Sequence, residues 1–333
     1  MGPGTILHIA TPKQLEPLRV AGALPLVAPA ELTAHAPDTH AVLLEGGEPV
    51  GRCSLWWSQT PPWSGQRLGM IGNYAVRDRA AARALLRHAC EQLRAHGCTL
   101  AVAPMDGTTW RRYRFVVERG SEPAFFLEPD NPDEWPAGFL AEGFTPFARY
   151  TSALNPDLTR SDNRSERAAA HLAERGIRIR ALDPGTMERE LHRIYALSAI
   201  SFRNNFLYSP IAEAEFADQY RQILPDVRPE LVLLAEADGE LVGFLFALPD
   251  LLQGRRGERV DTIIFKTIAV LPARSHAGLG GLLVDRGHAI ARDLGYRRAI
   301  HALMHEENTS RNISSRTAQT MRRYALFARS LEP

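Results

Sequence analysis

The chain has 333 residues, 45% of them hydrophobic, with 38 acidic side chains against 39 Lys and Arg. That length suits two globular domains, and a net charge of +1 offers no basic face for nucleic acid or another polyanion. The apolar runs fall far short of a membrane span, no basic region with a sustained apolar segment opens the chain, and Cys53, Cys90 and Cys98 lack metal-binding spacing, so the expectation is a cytoplasmic protein with reduced thiols, no membrane partner and no metal.

Residues 5–10 read as a strand, followed by a short helix after Pro12 and a proline-broken connection. Residues 40–44 and 50–57 flank Glu45-Gly46-Gly47-Glu48, a hairpin signal. A strand over 68–76 leads to a helix over 80–96, where Ala81, Leu85, Ala89 and Leu93 form one apolar stripe and Gly97 stops it. A strand over 99–103 precedes an irregular stretch to Phe126, with a short helix at 109–113. A helix over 131–142 and a strand over 144–154 close the first half. Ser161 or Asp162 can cap a helix running to Arg175, and Gly176 ends it.

The same order then repeats. A strand over 177–182 is followed by helices over 184–200 and 211–224, and strands 231–237 and 240–248 are joined by Asp238-Gly239, a favoured turn pair. Residues 253–257, Gln-Gly-Arg-Arg-Gly, read as an exposed loop. A strand over 262–270, a glycine turn, a helix to Leu294, a strand over 298–304, a short helix over 311–314 and a strand over 321–330 complete the chain.

The turn at 270–281 carries chemistry. Its strand is rich in β-branched and aromatic residues and is closed by Pro272. Gly278, Gly280 and Gly281 then precede Leu283, Gly287, Ile290 and Leu294 at helical spacing. The first amides of a helix have no intrahelical partner, the dipole adds partial positive charge there, and glycines let an anion come close. A pyrophosphate is the natural guest; a tight turn without a ligand is the bland alternative. No Lys-Ser/Thr pair follows, so this is not a P-loop, and Gly-x-Gly-Gly lacks the third glycine of a dinucleotide fingerprint.

With Val270, Pro272, Gly278 and Gly280 at this spacing, the stretch resembles the acyl-CoA-binding motif of the GNAT superfamily of N-acetyltransferases. There a strand ends in Val, then Pro, then Arg or Gln-x-x-Gly-x-Gly or Ala opens a helix. The family's Arg/Gln slot falls on Ser275, with Arg274 one residue early. The resemblance implies an α/β (α+β mixed sheet), tandem GNAT fold. It implies acetyl-CoA as acyl donor, held by Ile268, Ala269 and Val270 of the strand and by Arg274, Ser275, His276, Ala277, Gly278, Leu279, Gly280 and Gly281 of the loop. Asn308, just past the next strand, fits the family's contact to the CoA arm and also suits a helix N-cap. The implied division is an N-terminal GNAT-like domain at 1–154, a linker and helix at 155–176, and a C-terminal domain with the acetyl-CoA site at 177–333. The matching turn of the first half, Val76-Arg77-Asp78-Arg79-Ala80-Ala81, has no glycine and sets Asp78 against an incoming phosphate. That half is not expected to bind CoA through the usual cradle.

An amine acceptor is protonated near neutral pH and must lose a proton before it attacks a thioester. The candidate bases are His305, Glu306 and Glu307 at the exit of strand 298–304, and Lys266, one of only two lysines among 39 basic residues. The bland alternatives are solvated carboxylates and a snorkelling strand-edge lysine. His301 is expected to be buried and hydrogen-bonded. The resemblance places the oxyanion on a backbone amide of the central strand, here Val270. The family's thiolate-protonating Tyr would fall near Ser315; the nearest tyrosine, Tyr324, lies in the last strand. The reading is acetyl-CoA-dependent N-acetyl transfer to a small-molecule or peptide amine. The competing readings are a catalytically inactive acyl-CoA-binding or protein-interaction module and a nucleotide-binding protein. Acceptor, acyl length and oligomeric state are not encoded in any residue singled out here.

Overall fold

The structure, a computed structural model, describes residues 4–21, 24–159, 164–308 and 310–332. The first half runs β1 (Thr5–Ile9), α1 (Glu16–Ala21), α2 (Pro29–His35), β2 (Thr39–Glu45), β3 (Glu48–Trp56), β4 (Leu68–Val76), α3 (Arg79–Ala95), β5 (Leu100–Ala103), β6 (Phe115–Glu118), α4 (Glu134–Ala141) and β7 (Thr145–Asn155). The second runs α5 (Arg164–Glu174), β8 (Arg178–Ala181), α6 (Met187–Ser201), α7 (Glu213–Ile223), β9 (Val232–Ala237), β10 (Glu240–Pro249), α8 (Leu251–Arg255), β11 (Thr262–Val270), α9 (Leu279–Asp293), β12 (Arg298–His305), α10 (Ser310–Ser314) and β13 (Gln319–Ser330).

Two local expectations need correction. Residues 109–113 form a turn, in which the Trp110 amide donates to Thr108 Oγ1 at 3.1 Å, and not a helix. Residues 253–255 are not an exposed loop. They lie in α8, which Asp250 opens by accepting from the Leu252 amide, and Gln253 is buried because its carboxamide serves Asp261 and Thr262. Between the proline-broken connection and β2, a stretch for which no element is expected from the sequence, lies α2, which begins on Pro29, where a missing N–H costs nothing. The proposed caps Ser161 and Asp162 lie outside the described residues.

All thirteen strands share one sheet, in the order β1-β2-β3-β4-β5-β13-β7-β12-β11-β10-β9-β8, with β6 attached to β13. The closing strands are exchanged between the halves. β13, the last strand of the chain, borders β5 of the first half, and β7, the last strand of the first half, borders β12 of the second. Phe327 and Leu331 accordingly sit in the core under α3, with Leu85 and Leu93. On the second half, α9 lays Leu283 and Ala291 against Ile263, Phe265 and Leu245. Gly287 is needed there: a Cβ would come within 2.6 Å of Leu245 Cδ2.

Each half contains one parallel pair that splays apart. β11 and β12 pair from Thr262↔Arg298 to Phe265↔His301 and then separate. β4 and β5 pair from Leu68↔Leu100 to Met70↔Val102. In the first half the gap is closed by the chain itself. The Met105 amide donates to Ile71 O at 2.9 Å, and Asp106 Oδ1 accepts from the Asn73 amide at 2.5 Å. A Cβ on Gly72 would lie 2.2 Å from Met105 O, so the fit is tight.

Candidate acyl-CoA site

The second gap leads directly into the glycine turn. Gly278 has φ 89°, a left-handed conformation that favours glycine, and no side chain caps α9. The leading amides of α9 are thus left for a ligand. A Cβ on Gly278 would stand 3.5 Å from Ala168 of α5, and one on Gly280 3.3 Å from Ile313 of α10, so these two helices wall the cradle. Arg274 and Ser275 are exposed in a short 3-10 turn, and His276 Nδ1 donates to Leu271 O at 3.0 Å, bracing that turn. Ala277 is exposed and Leu279 is buried in the core. Gly281 faces Arg316, whose Nη1 would be 3.5 Å from an added Cβ. Asn308 Oδ1 accepts from the Ser310 amide at 3.1 Å, the N-cap role. The first half offers the opposite arrangement. Asp78 Oδ1 already accepts from the Ala81 amide at 2.9 Å, so a carboxylate of the chain occupies the start of α3.

Ile268, Ala269 and Val270 lie on β11 beyond the splay, bonded to β10 on one side only. An extended edge of this kind presents amides and carbonyls to an incoming chain. At its base β11 bulges: Phe246 pairs with Thr267 and Ala247 with Phe265, leaving Lys266 as the extra residue. Lys266 is half-buried, and Nζ donates to Leu127 O at 3.2 Å. Burial, aided by the Arg114 charge and opposed by Glu128, pulls its ammonium pKa down to about 8.

The segment after β6 brings in residues that sequence reasoning missed. Phe125 packs with Phe244 and Ile264 of the second half, which sets Glu128 beside the splay. Glu128 is paired with buried Arg322 at 2.7 Å, and its other oxygen accepts from the Tyr324 hydroxyl. Tyr324 also meets Ser152 Oγ at 2.9 Å, and Ser152 accepts from the Leu303 amide. Burial raises the Glu128 carboxyl and holds the Tyr324 phenol well above its ordinary value. Of these, the sequence singles out only Tyr324, as a tyrosine displaced from the position of the family's acid. No local pattern marks Glu128, because what places it is packing across 124 residues, Phe126 N to Asp250 Oδ1.

The remaining candidates stand at the exit of β12. The His305 ring stacks on Phe206 and meets Tyr150 edge-on. Its Nδ1 accepts from the Glu307 amide at 3.2 Å, so the lone pair there is engaged, and burial lowers its pKa. Glu306 lies 3.6 Å from Arg323, and Glu307 is exposed. His301 is buried as expected, bonded through Nε2 to His288 Nε2 at 3.0 Å and through Nδ1 to Ser314 Oγ at 2.9 Å. That chain ties β12 to α9 and α10, the elements that frame the cradle. No helix among the described residues is long and apolar enough to cross a membrane.

Comparison with known proteins agrees with this geometry. Residues 191–313 match the Acetyltransferase (GNAT) family. A bacterial ceramide synthase of Caulobacter vibrioides is 26% identical over 220 residues, which are 65% of this chain and 57% of that protein. The chain therefore spans little more than half the length of this curated relative. Among solved structures, the GCN5-related glucosamine N-acetyltransferase region of a fungal multi-domain β-N-acetylglucosaminidase aligns with TM-score 0.55 at 14% identity, over 98% of this chain and 38% of that one. A GCN5-related N-acetyltransferase from Anabaena variabilis gives 0.53 at 10% identity, over 98% and 73%. A tandem GNAT protein from the clavulanic acid biosynthesis pathway gives 0.50 at 18% identity, over 99% of each chain. Residues 191–313 thus match the acetyltransferase (GNAT) family, and the chain as a whole has the tandem GNAT fold.

Proposed function

We propose that the protein is an acyl-CoA-dependent N-acyltransferase that takes acetyl-CoA as donor, binds it once per chain in domain 177–333, and uses domain 1–154 as a structural partner that shapes the acceptor side. One observation carries the reading. The β11–β12 gap runs into an uncapped helix start at Gly278, whereas the first half fills both corresponding places with Met105, Asp106 and Asp78.

Of the four candidate bases, Lys266 is best placed. It sits at the base of the gap, and an amine with pKa about 8 is partly neutral near pH 7. His305 already spends its Nδ1 lone pair on a backbone amide. Neutral Lys266 takes a proton from the acceptor ammonium. The freed amine attacks the thioester carbon, forming the C–N bond, and the oxyanion is met by the Val270 amide. Collapse breaks the C–S bond, the nitrogen gives up its second proton to solvent as the amide forms, and the thiolate is protonated from solvent or from the Lys266 ammonium. The relative named for ceramide synthesis gives reason to test long acyl chains beside acetyl.

The reading is tested by calorimetric titration of acetyl-CoA and palmitoyl-CoA into the protein and into Gly278→Asp, followed by thiol release with a panel of amines. The expected result is one site per chain, lost in Gly278→Asp, with release that depends on an amine. Binding without release from any amine would favour the inactive acyl-CoA-binding module, to which the lack of a tyrosine near Ser315 also points. Binding that survives Gly278→Asp would move the site.

A further inference from the structure

Arg114 is a buried cation that no anion among the described residues answers. It is 8% exposed, and its guanidinium lies between the rings of Tyr113, 3.8 Å from the centroid, and Tyr150, 4.2 Å away. Nη1 donates to Leu303 O at 3.3 Å, at the irregularity where β12 shifts register against β7. Nε is buried without a partner, and Arg114 makes no ion pair among the described residues. The two other buried arginines are provided for: Arg322 holds Glu128, and Arg52 donates to the Pro25 and Asn73 carbonyls. An unpaired buried charge is costly. The backbone adds to the cost, since Arg114 has φ 72°, a conformation that side-chain-bearing residues adopt mainly where the surroundings enforce it.

The position of this charge says what would answer it. Arg114 bonds Leu303 O beyond the last β11–β12 pair at His301, and it shares the Tyr150 ring with His305, so it lies on the β12 side of the gap where the two strands have separated. A thioester carries no formal charge, and the phosphates of a CoA belong at the helix start. Glu128, the carboxylate at the splay, is already engaged by Arg322 and Tyr324. We infer that Arg114 binds a carboxylate carried by the amine acceptor, which makes the acceptor an amino-acid-like zwitterion. The inference rests on the acyl-transfer reading. The Nε–Nη2 edge, left over after Nη1 has bonded to Leu303 O, is the edge of a guanidinium that takes a carboxylate by two parallel hydrogen bonds. The Tyr113 and Tyr150 rings, tilted 83° to each other, form a corner that sets the direction of that fork. The ammonium of the same molecule is then presented toward Lys266.

The test uses matched pairs that differ by one carboxylate: L-phenylalanine against phenethylamine and L-lysine against cadaverine. Each is titrated calorimetrically into the full chain in the presence of saturating CoA. Removing a charge-assisted hydrogen bond costs about 10- to 100-fold in affinity, so the amino acid of at least one pair is expected to bind tighter than its amine by that factor. Arg114→Met should erase the preference, and Arg114→Lys, which keeps the charge without the fork, should retain part of it. Acetyl-CoA affinity and the thermal midpoint of each variant report whether the donor site and the fold persist. Equal affinities within every pair, no binding of any carboxylate-bearing member, or a preference that survives in Arg114→Met would overturn the inference. Failure of the acyl-transfer reading shows itself separately, in the response of acetyl-CoA binding to Gly278→Asp.

Discussion

Lys266→Met separates the cost of the candidate base from its use. The ammonium pKa falls from 10.5 to about 8 on folding. At roughly 1.4 kcal/mol per unit, a drop of about 2.5 units corresponds to ~3 kcal/mol of destabilisation while the side chain is charged in both states. Residual exposure of the lysine and its hydrogen bond to Leu127 O reduce the net gain from replacement to about 1–2 kcal/mol. The sign follows from proton counting. Below about pH 8 both states bind the proton, and the full cost is present. Between about 8 and 10.5 the unfolded chain binds more protons than the folded one, so wild-type stability recovers as pH rises. Urea denaturation at pH 7 should therefore show Lys266→Met to be more stable than wild type, with the gap closing by pH 10. The same substitution should cut kcat/KM about 10²- to 10⁴-fold if Lys266 is the base. A variant that is less stable at pH 7, or a gap that ignores pH, would refute the burial argument. An unchanged kcat/KM would refute the catalytic one.

Two further outcomes follow from other buried groups. His288 and His301 are held neutral by burial, with pKa about 4 and about 3 against an ordinary 6.5. The unfolded chain takes up their protons first, so stability should fall as pH drops below 6.5, by roughly 2 kcal/mol per buried imidazole near pH 5. A denaturation midpoint that is flat between pH 6.5 and 5 would count against this. Gly72→Ala sets a Cβ against the Met105 carbonyl and should cost at least the ~1–3 kcal/mol of an overpacked core. Because the damage is confined to the first half, calorimetry should find acetyl-CoA affinity in the folded variant within about twofold of wild type.

What the sequence reveals about this chain is what local chemistry dictates. The Asp238-Gly239 hairpin forms because both residues accept positive φ, 51° and 84°. The cradle is legible because glycine at 278 is the signature of its φ. Lys266 stands out by composition alone. The exchange of β7 and β13 is not legible, because pairing across the whole chain leaves no periodic trace; each strand reads the same whichever half it joins. Arg114 stayed hidden for the same reason that makes it informative. Nothing in Arg-Arg-Tyr-Arg-Phe marks one arginine as buried, and only the packing of Tyr113, Tyr150 and Leu303 distinguishes it from Arg111, which pairs with Glu215, and exposed Arg112. The loop at 253–257 misled because glycine and arginine signal turns, while the buried carboxamide of Gln253 supplies the bonds that hold a helix there.

The two halves carry the same splayed strand pair, yet the chain uses them for opposite ends. In the first, Met105 and Asp106 lie along the edge of β4 and bond to it as a ligand would, and Asp78 takes the Ala81 amide at the start of α3. Those substitutions satisfy backbone groups that would otherwise await a ligand, so they turn a binding element into a rigid one. In the second, the same groups are left open, and the first half instead supplies what the gap lacks: the Leu127 carbonyl on Lys266, Glu128 on Tyr324 and Arg322, and Arg114 on Leu303. A rigid support is what such a delivery requires, because a guanidinium in a left-handed backbone conformation and a lysine held near its neutral form both persist only where the surroundings allow no alternative. Closure of the first gap is thus the structural condition for the chemistry proposed for the second.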